Sequence, residues 1–183
     1  MTYDPLKAAQ TIAFFAIQQG NDIDVLKAVK LVYLADRESL RRRGHPIQSE
    51  ARVSMPHGPV NSTTLNYLNG AFRDDGGWSG VLSDRANHRV GLANPEINQD
   101  QLDRLSTGDI AVLETVWAEF GGMSGFELVD WTHSNIVEWQ DPQGSSRPIP
   151  LDRMMAAVGL ERPIERAREI ESLDQASRLL ASL

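Results

Sequence analysis

Between about residues 25 and 43 the chain contains neither Gly nor Pro, yet a carboxylate, Asp36, interrupts the apolar pattern of that stretch. Asp22 or Asp24 can cap the free N–H groups of a helix beginning there. Leu26, Val29, Tyr33 and Leu40 recur at helical spacing and mark a buried face. Asp36 lies seven residues after Val29, three after Tyr33 and four before Leu40, so it falls on the same face. An isolated charge in an apolar interior costs several kcal/mol, so Asp36 needs donors. The chain just downstream offers the His57 ring and the backbone N–H groups of Gly58 and Val60. The expectation is a buried polar contact between this helix and the His57-Gly58-Pro59-Val60 loop. Asp36→Ala should then cost about 1–3 kcal/mol, the penalty for stranding buried donors.

The rest of the chain has to enclose that helix. At 183 residues it is one large domain or a domain with an appendage, and either buries a real core. We expect an α+β, mainly α fold: a helical domain with a small antiparallel β-sheet of about three short strands. Residues 1–140 form the domain, and 141–183 a helical extension packed on it or used for partner binding. No run of about 18 apolar residues exists, which argues against a membrane span, and the start does not read as a signal peptide. The absence of Cys excludes disulfides and thiolate metal sites and fits a reducing cytoplasm. A net charge of −7 argues against non-specific nucleic-acid binding and suits a basic partner.

In chain order, Asp4-Pro5 opens a first helix carrying Leu6, Ala9, Ile12, Ala13, Ala16 and Ile17, ended by Gly20-Asn21 in a left-handed turn. So short a link should make it an antiparallel partner of the second helix. Arg41-Arg42-Arg43 closes the second helix and reads as cations complementing its dipole rather than as a phosphate patch. Ala51–Met55 alternates like a strand, and Pro56 and Pro59 stiffen the loop around His57. Asn61 or Ser62 caps a third helix reaching about Phe72, with Leu65, Leu68 and Phe72 inward. Asp74-Asp75-Gly76-Gly77 is a turn. Val81-Leu82 and Val90–Leu92 form a hairpin that should join the strand near residue 53.

A helix capped at Asp109 or nearby Ser106/Thr107 carries Ile110, Leu113, Val116, Trp117 and Phe120 to Gly121-Gly122. Ser124 and Glu127 make a capping box for a helix with Leu128, Trp131, Thr132 and His133 that ends near Trp139. Gln140–Pro150 reads as a loop. A short helix runs from Pro150-Leu151 to Gly159. Pro163 starts the last one, whose Ile164, Ala167, Ile170, Leu173, Ala176, Leu180 and Leu183 form a stripe. That stripe is either core or the seam by which two chains or a partner dock; Arg162, Arg166 and Arg168 near its start oppose the helix dipole.

His57 and His133 with Asp36 and Asp130 have the right chemistry for metal binding or acid–base work. Without a His-x-x-x-His pair, structural hydrogen bonding is the better reading, so we expect no metal, no cofactor and no catalytic group. No nucleophile elbow and no Gly-rich phosphate loop appears. Thr132 should bond a carbonyl one turn back. Trp78, in a Gly-rich turn, is either an exposed binding anchor or folded over the edge of the sheet.

The blocks Lys30–Asp36, Gly44–Ile47, His57–Val60 and Leu128…Thr132-His133…Trp139, in this order, resemble the Panacea domain of SocA-like, often phage-associated antitoxins. Met55 departs from the pattern, standing where a Trp is expected. The resemblance implies a helical module with a small sheet that neutralises partner toxins of many unrelated kinds. It carries Lys30, Tyr33, Asp36, His57, Gly58, Pro59, Thr132, His133 and Trp139 as structural or partner-binding positions, beside Trp78. The function expected is therefore a cytoplasmic antitoxin that binds a cognate toxin directly or hands it to an ATP-dependent protease. The alternatives are a small hydrolase using Asp36 and His57, and a transcription regulator.

Overall fold

Asp4 accepts the Lys7 amide at 3.1 Å and Pro5 takes the first helical position, starting α1 (Pro5–Gln19), which ends at Gly20 with φ +99°. In the computed structural model, which describes residues 3–74 and 76–181, α1 leads into a short strand, β1 (Asp22–Asp24). Asp24 both closes that strand and caps the next helix, α2 (Val25–Arg43), by accepting the Lys27 amide at 2.9 Å.

α2 is the axis of the molecule. The apolar spacing predicts one buried face, but every residue from Lys27 to Asp36 is buried. A helix covered on all sides is a core helix rather than an amphipathic surface one. Helices α4 (Thr107–Phe120), α5 (Gly125–Asn135) and α6 (Leu151–Ala157), together with α1, surround it. Three ionic side chains are buried along it, and each has a stated partner. Lys27 donates to Gln19 Oε1 at 2.5 Å and to the Gly121 carbonyl at 2.6 Å, over the Trp117 ring. Lys30 and Asp36 face the β-sheet.

That sheet is β2 (Arg52–Met55) between β3 (Gly58–Asn61) and β5 (Arg147–Ile149), all antiparallel. The mainly α fold with a small three-stranded sheet is thus as expected, but its strands differ. The Val81-Leu82/Val90–Leu92 segment does not join it. Instead β4 (Arg89–Gly91) pairs with β1 in a separate two-stranded sheet, with Leu82 bridging Leu92. Gly58–Asn61, expected as a loop, is a strand. β5 lies inside the expected Gln140–Pro150 loop, where an Arg-Pro-Ile strand gives no alternating signal. Both outer strands carry a proline, Pro59 and Pro148, a residue that sheets accept at their edges.

Helix α3 (Ser62–Leu68) stops four residues short of Phe72, which is 47 % exposed rather than inward. Asn61 occupies its cap position without capping it; Glu50 does so from outside, accepting the Thr64 amide at 2.8 Å. Ser106 and Ser124 cap α4 and α5 through full capping boxes. α5 ends at Asn135 because Ile136 turns extended, so Trp139 lies beyond it. Arg41 and Arg42 pair with Glu38 on their own helix, and Arg43 reaches Asp109 on α4. The final helix is α7 (Pro163–Ala181). Asp75 and Leu183 lie outside the described residues.

Asp109 ties three helices together, with Arg43 at 2.7 Å and Lys7 at 2.9 Å. Burial works to raise its carboxyl, but Arg43, Lys7 and Ser106 outweigh it and hold the group at about 2. A depressed carboxyl contributes stability above its unfolded pKa and loses it on acidification, so roughly 2 kcal/mol should disappear between pH 4 and pH 2. Asp109→Asn should lack that segment of the acid-unfolding curve.

Candidate functional site

The site begins with Asp36, only 1 % exposed. Its Oδ1 accepts the amides of Ile47 at 2.9 Å and Gln48 at 3.1 Å. Its Oδ2 accepts Arg52 through Nε at 3.1 Å and Nη2 at 2.6 Å, and Asn61 Nδ2 at 2.8 Å. Five donors on two oxygens saturate the carboxylate. Arg52 spends its remaining capacity on the carbonyls of Gln48 and Glu50. Burial raises the neighbouring Glu50 carboxyl above its ordinary range, and Thr64 and Asn61 work against that rise.

Six residues earlier on α2, Lys30 donates to the Pro59 carbonyl at 2.9 Å. This is the buried polar contact between helix and His-Gly-Pro-Val segment that the sequence implies, but Lys30 makes it. Gly58 makes the approach possible. Its φ of +89° is left-handed, and a Cβ there would lie 2.6 Å from Thr132 Oγ1 and 3.0 Å from Lys30 Nζ. Thr132 Oγ1 bonds the Val129 carbonyl one turn back, as expected. Gly58→Ala combines an αL penalty of about 1–2 kcal/mol with a clash against packed groups. It should lower the urea unfolding free energy by about 2–4 kcal/mol, with unchanged helical circular dichroism at zero urea.

The third contact closes the ring from the segment just after α5. Tyr33 donates its hydroxyl to Glu138 Oε1 at 3.0 Å, and Arg37 Nε reaches the same oxygen at 2.9 Å. Burial, then the Glu138 charge, pushes the Tyr33 hydroxyl well above its usual pKa. Next to it, the His133 ring stacks on Trp139 at 4.2 Å, and Trp139 Nε1 donates to the Met55 carbonyl at 3.1 Å. The position that departs from the expected Trp therefore contributes its backbone to the junction.

Most of the sequence-derived residues converge here: Lys30, Tyr33, Asp36, Gly58, Pro59, Thr132, His133 and Trp139. His57 does not. It is exposed at the tip of the β2–β3 hairpin, beside the Met55–Gly58 pair, whereas Asp36 contacts the Arg52–Asn61 pair at the other end. Three ladder steps of ~3.3 Å separate the two ends, so no Asp36–His57 bond or catalytic pair exists. The Val60 amide is also unavailable, because Val60 pairs with Val53 in the ladder. Trp78 is buried and stacks on Tyr67 at 5.1 Å, away from this junction.

Sequence reasoning missed Arg52, Asn61, Glu50 and Glu138. Residues 51–55 alternate as a strand does, but alternation alone does not say which parity faces inward. In the structure Arg52 and Ser54 are the buried pair and Ala51 is exposed. One signal was available: a buried acid on α2 calls for a cation, and Arg52 is the one basic side chain in the strand that follows. Among the described residues no cluster of three His, Asp or Glu is placed to hold a metal ion, and no helix is long and apolar enough to cross a membrane.

The junction spans α2 to Trp139, and so does the family match. A family model described as antitoxin SocA-like, Panacea domain, matches residues 29–140, more than half of the chain, including every side chain of the junction. No curated protein and no solved structure matches the chain.

Proposed function

Because this chain belongs to the SocA-like antitoxin family through its Panacea domain, we propose that it neutralises a cognate toxin by direct protein–protein contact in the cytoplasm. The observation that carries this reading is the family match over residues 29–140. The geometry supports it in one respect. The buried charges at the centre are engaged inside the fold, with five donors on Asp36. Such a network rigidifies and specifies a scaffold, and leaves recognition to the outer surface. The hydrolase alternative required Asp36 and His57 together, and they stand at opposite ends of the hairpin.

The test is co-expression with the product of the adjacent open reading frame. That product alone should arrest growth, and this chain should restore it while co-purifying with the toxin. A harmless neighbour, or arrest that this chain does not relieve, would remove the reading. We further propose that the complex is a substrate for an ATP-dependent protease, with this chain as the adaptor. Toxin half-life should then shorten when the chain is present; an unchanged half-life with restored growth indicates plain sequestration.

A further inference from the structure

The last helix turns only part of its apolar stripe inward. Ala167 and Asp174 are buried, and Ile170 and Asp174 border a groove with Pro46, Glu50, Arg52 and Ile149, so this side of α7 lies over the sheet and the Asp36 junction. The other side carries Leu173, 66 % exposed, and Leu180, 73 % exposed, with exposed Ala176 between them. Leu179 widens the patch at 68 % exposure. Single exposed leucines need no explanation. Here Leu173, Ala176 and Leu180 follow one another at three- and four-residue intervals, the spacing of side chains on one helical stripe.

We propose that this stripe is a self-association seam, in which α7 pairs antiparallel with α7 of a second copy of the chain. The stripe is self-complementary. A two-fold axis beside Ala176 sets Leu173 against the partner's Leu180, and Leu180 against the partner's Leu173. The same patch thus serves both copies, as an isologous interface requires, and the small Ala176 side chain lets the helices approach at their crossing.

The stripe supplies most of the apolar area that a dimer needs. Leucines exposed to this degree each offer on the order of 100 Å² of apolar surface, so three of them with Ala176 supply roughly 350 Å² per copy. A specific interface takes about 800 Å² from each partner, a little over half of it apolar. Exposed Ser172 and Gln175 on the same flank as Leu179 are placed to form part of the polar rim.

The test is the mass of the full chain in solution by light scattering and sedimentation, between roughly 1 and 100 µM. Wild type should rise from 20.3 kDa toward twice that mass with concentration. Leu173→Glu and Leu180→Lys should each stay at the monomer mass throughout. Leu173→Glu combined with Leu180→Lys on one chain should recover at least part of the dimer, because each contact then joins opposite charges. Circular dichroism separates loss of pairing from loss of helix, and Leu180→Ala replaces any charged variant that unfolds. A monomeric wild type overturns the proposal, as does a dimer indifferent to both single substitutions. Failure of the double variant to recover overturns the antiparallel register. A monomeric wild type whose single variants no longer relieve toxicity also overturns self-association, and gives the stripe to the toxin instead.

Discussion

Asp36→Ala is expected to lower the free energy of unfolding by about 4 kcal/mol, more than the loss of ordinary hydrogen bonds alone would give. Two kinds of group are stranded. The Ile47 and Gln48 amides lose their acceptor inside the protein, at about 1–3 kcal/mol per buried unsatisfied group. Arg52, itself buried, loses its counter-charge, and breaking a buried pair from one side costs about 3–5 kcal/mol. Relaxation and water entry recover part of the sum, so the pair penalty sets the scale. Removing both charges, with Asp36→Leu and Arg52→Met together, should cost less than Asp36→Ala alone, because no charge is then left uncompensated. The measurement is urea unfolding of the two single variants and the double. An Asp36→Ala protein that melts with the parent and yet fails to bind its partner would make Asp36 a contact residue rather than a structural one.

The sequence reveals that Asp36 is buried, because a carboxylate at helical register with Val29, Tyr33 and Leu40 has nowhere else to point. It does not reveal the donors. Which side chain reaches Asp36 depends on which face β2 turns inward, and that is decided by the partner it packs against. Alternation alone leaves both parities open; the Asp36 carboxylate on α2 decides between them by pairing with Arg52. The capped helices were legible for the opposite reason. Asp4-Pro5, Ser106 and Ser124…Glu127 form their hydrogen bonds within one turn of sequence. β5 and the β1–β4 pair were not legible, since each is three residues long and exists only through a strand distant in the chain.

The same distinction bears on the candidate site. The residues that carry the family resemblance turn out to be mainly interior: Lys30, Tyr33, Asp36, Gly58 and Thr132 hold α2, the hairpin and α5 in one arrangement. Trp78, which could have been a surface anchor, packs inside against Tyr67. Exposed large apolar side chains lie elsewhere, at Phe126, Val137 and along α7. A scaffold that fixes its core and leaves its outer faces unconstrained can vary those faces without losing the fold, which suits the binding role proposed for it.

Lys30→Met should remove a large rise in stability with pH on the alkaline side of neutrality. Lys30 has no exposed surface, and burial alone depresses its ammonium from 10.5 to about 7. The folded state therefore releases this proton before the unfolded state does. Between pH 7 and pH 10.5 the unfolded chain binds more protons, so stability rises with pH across that window and is level on either side of it. A gap of about three and a half pH units corresponds to roughly 5 kcal/mol. Wild type should gain about that much from this one group between pH 6 and pH 11, on top of whatever the other titrating groups contribute. Lys30→Met has no proton to release and should lack the gain, while losing the bond to the Pro59 carbonyl, at about 1–3 kcal/mol. The variant is therefore expected to be the more stable protein near pH 6 and the less stable one near pH 10. Urea midpoints of the two proteins across that range decide the matter. Parallel curves would show that Lys30 stays charged in the fold, with acceptors beyond Pro59.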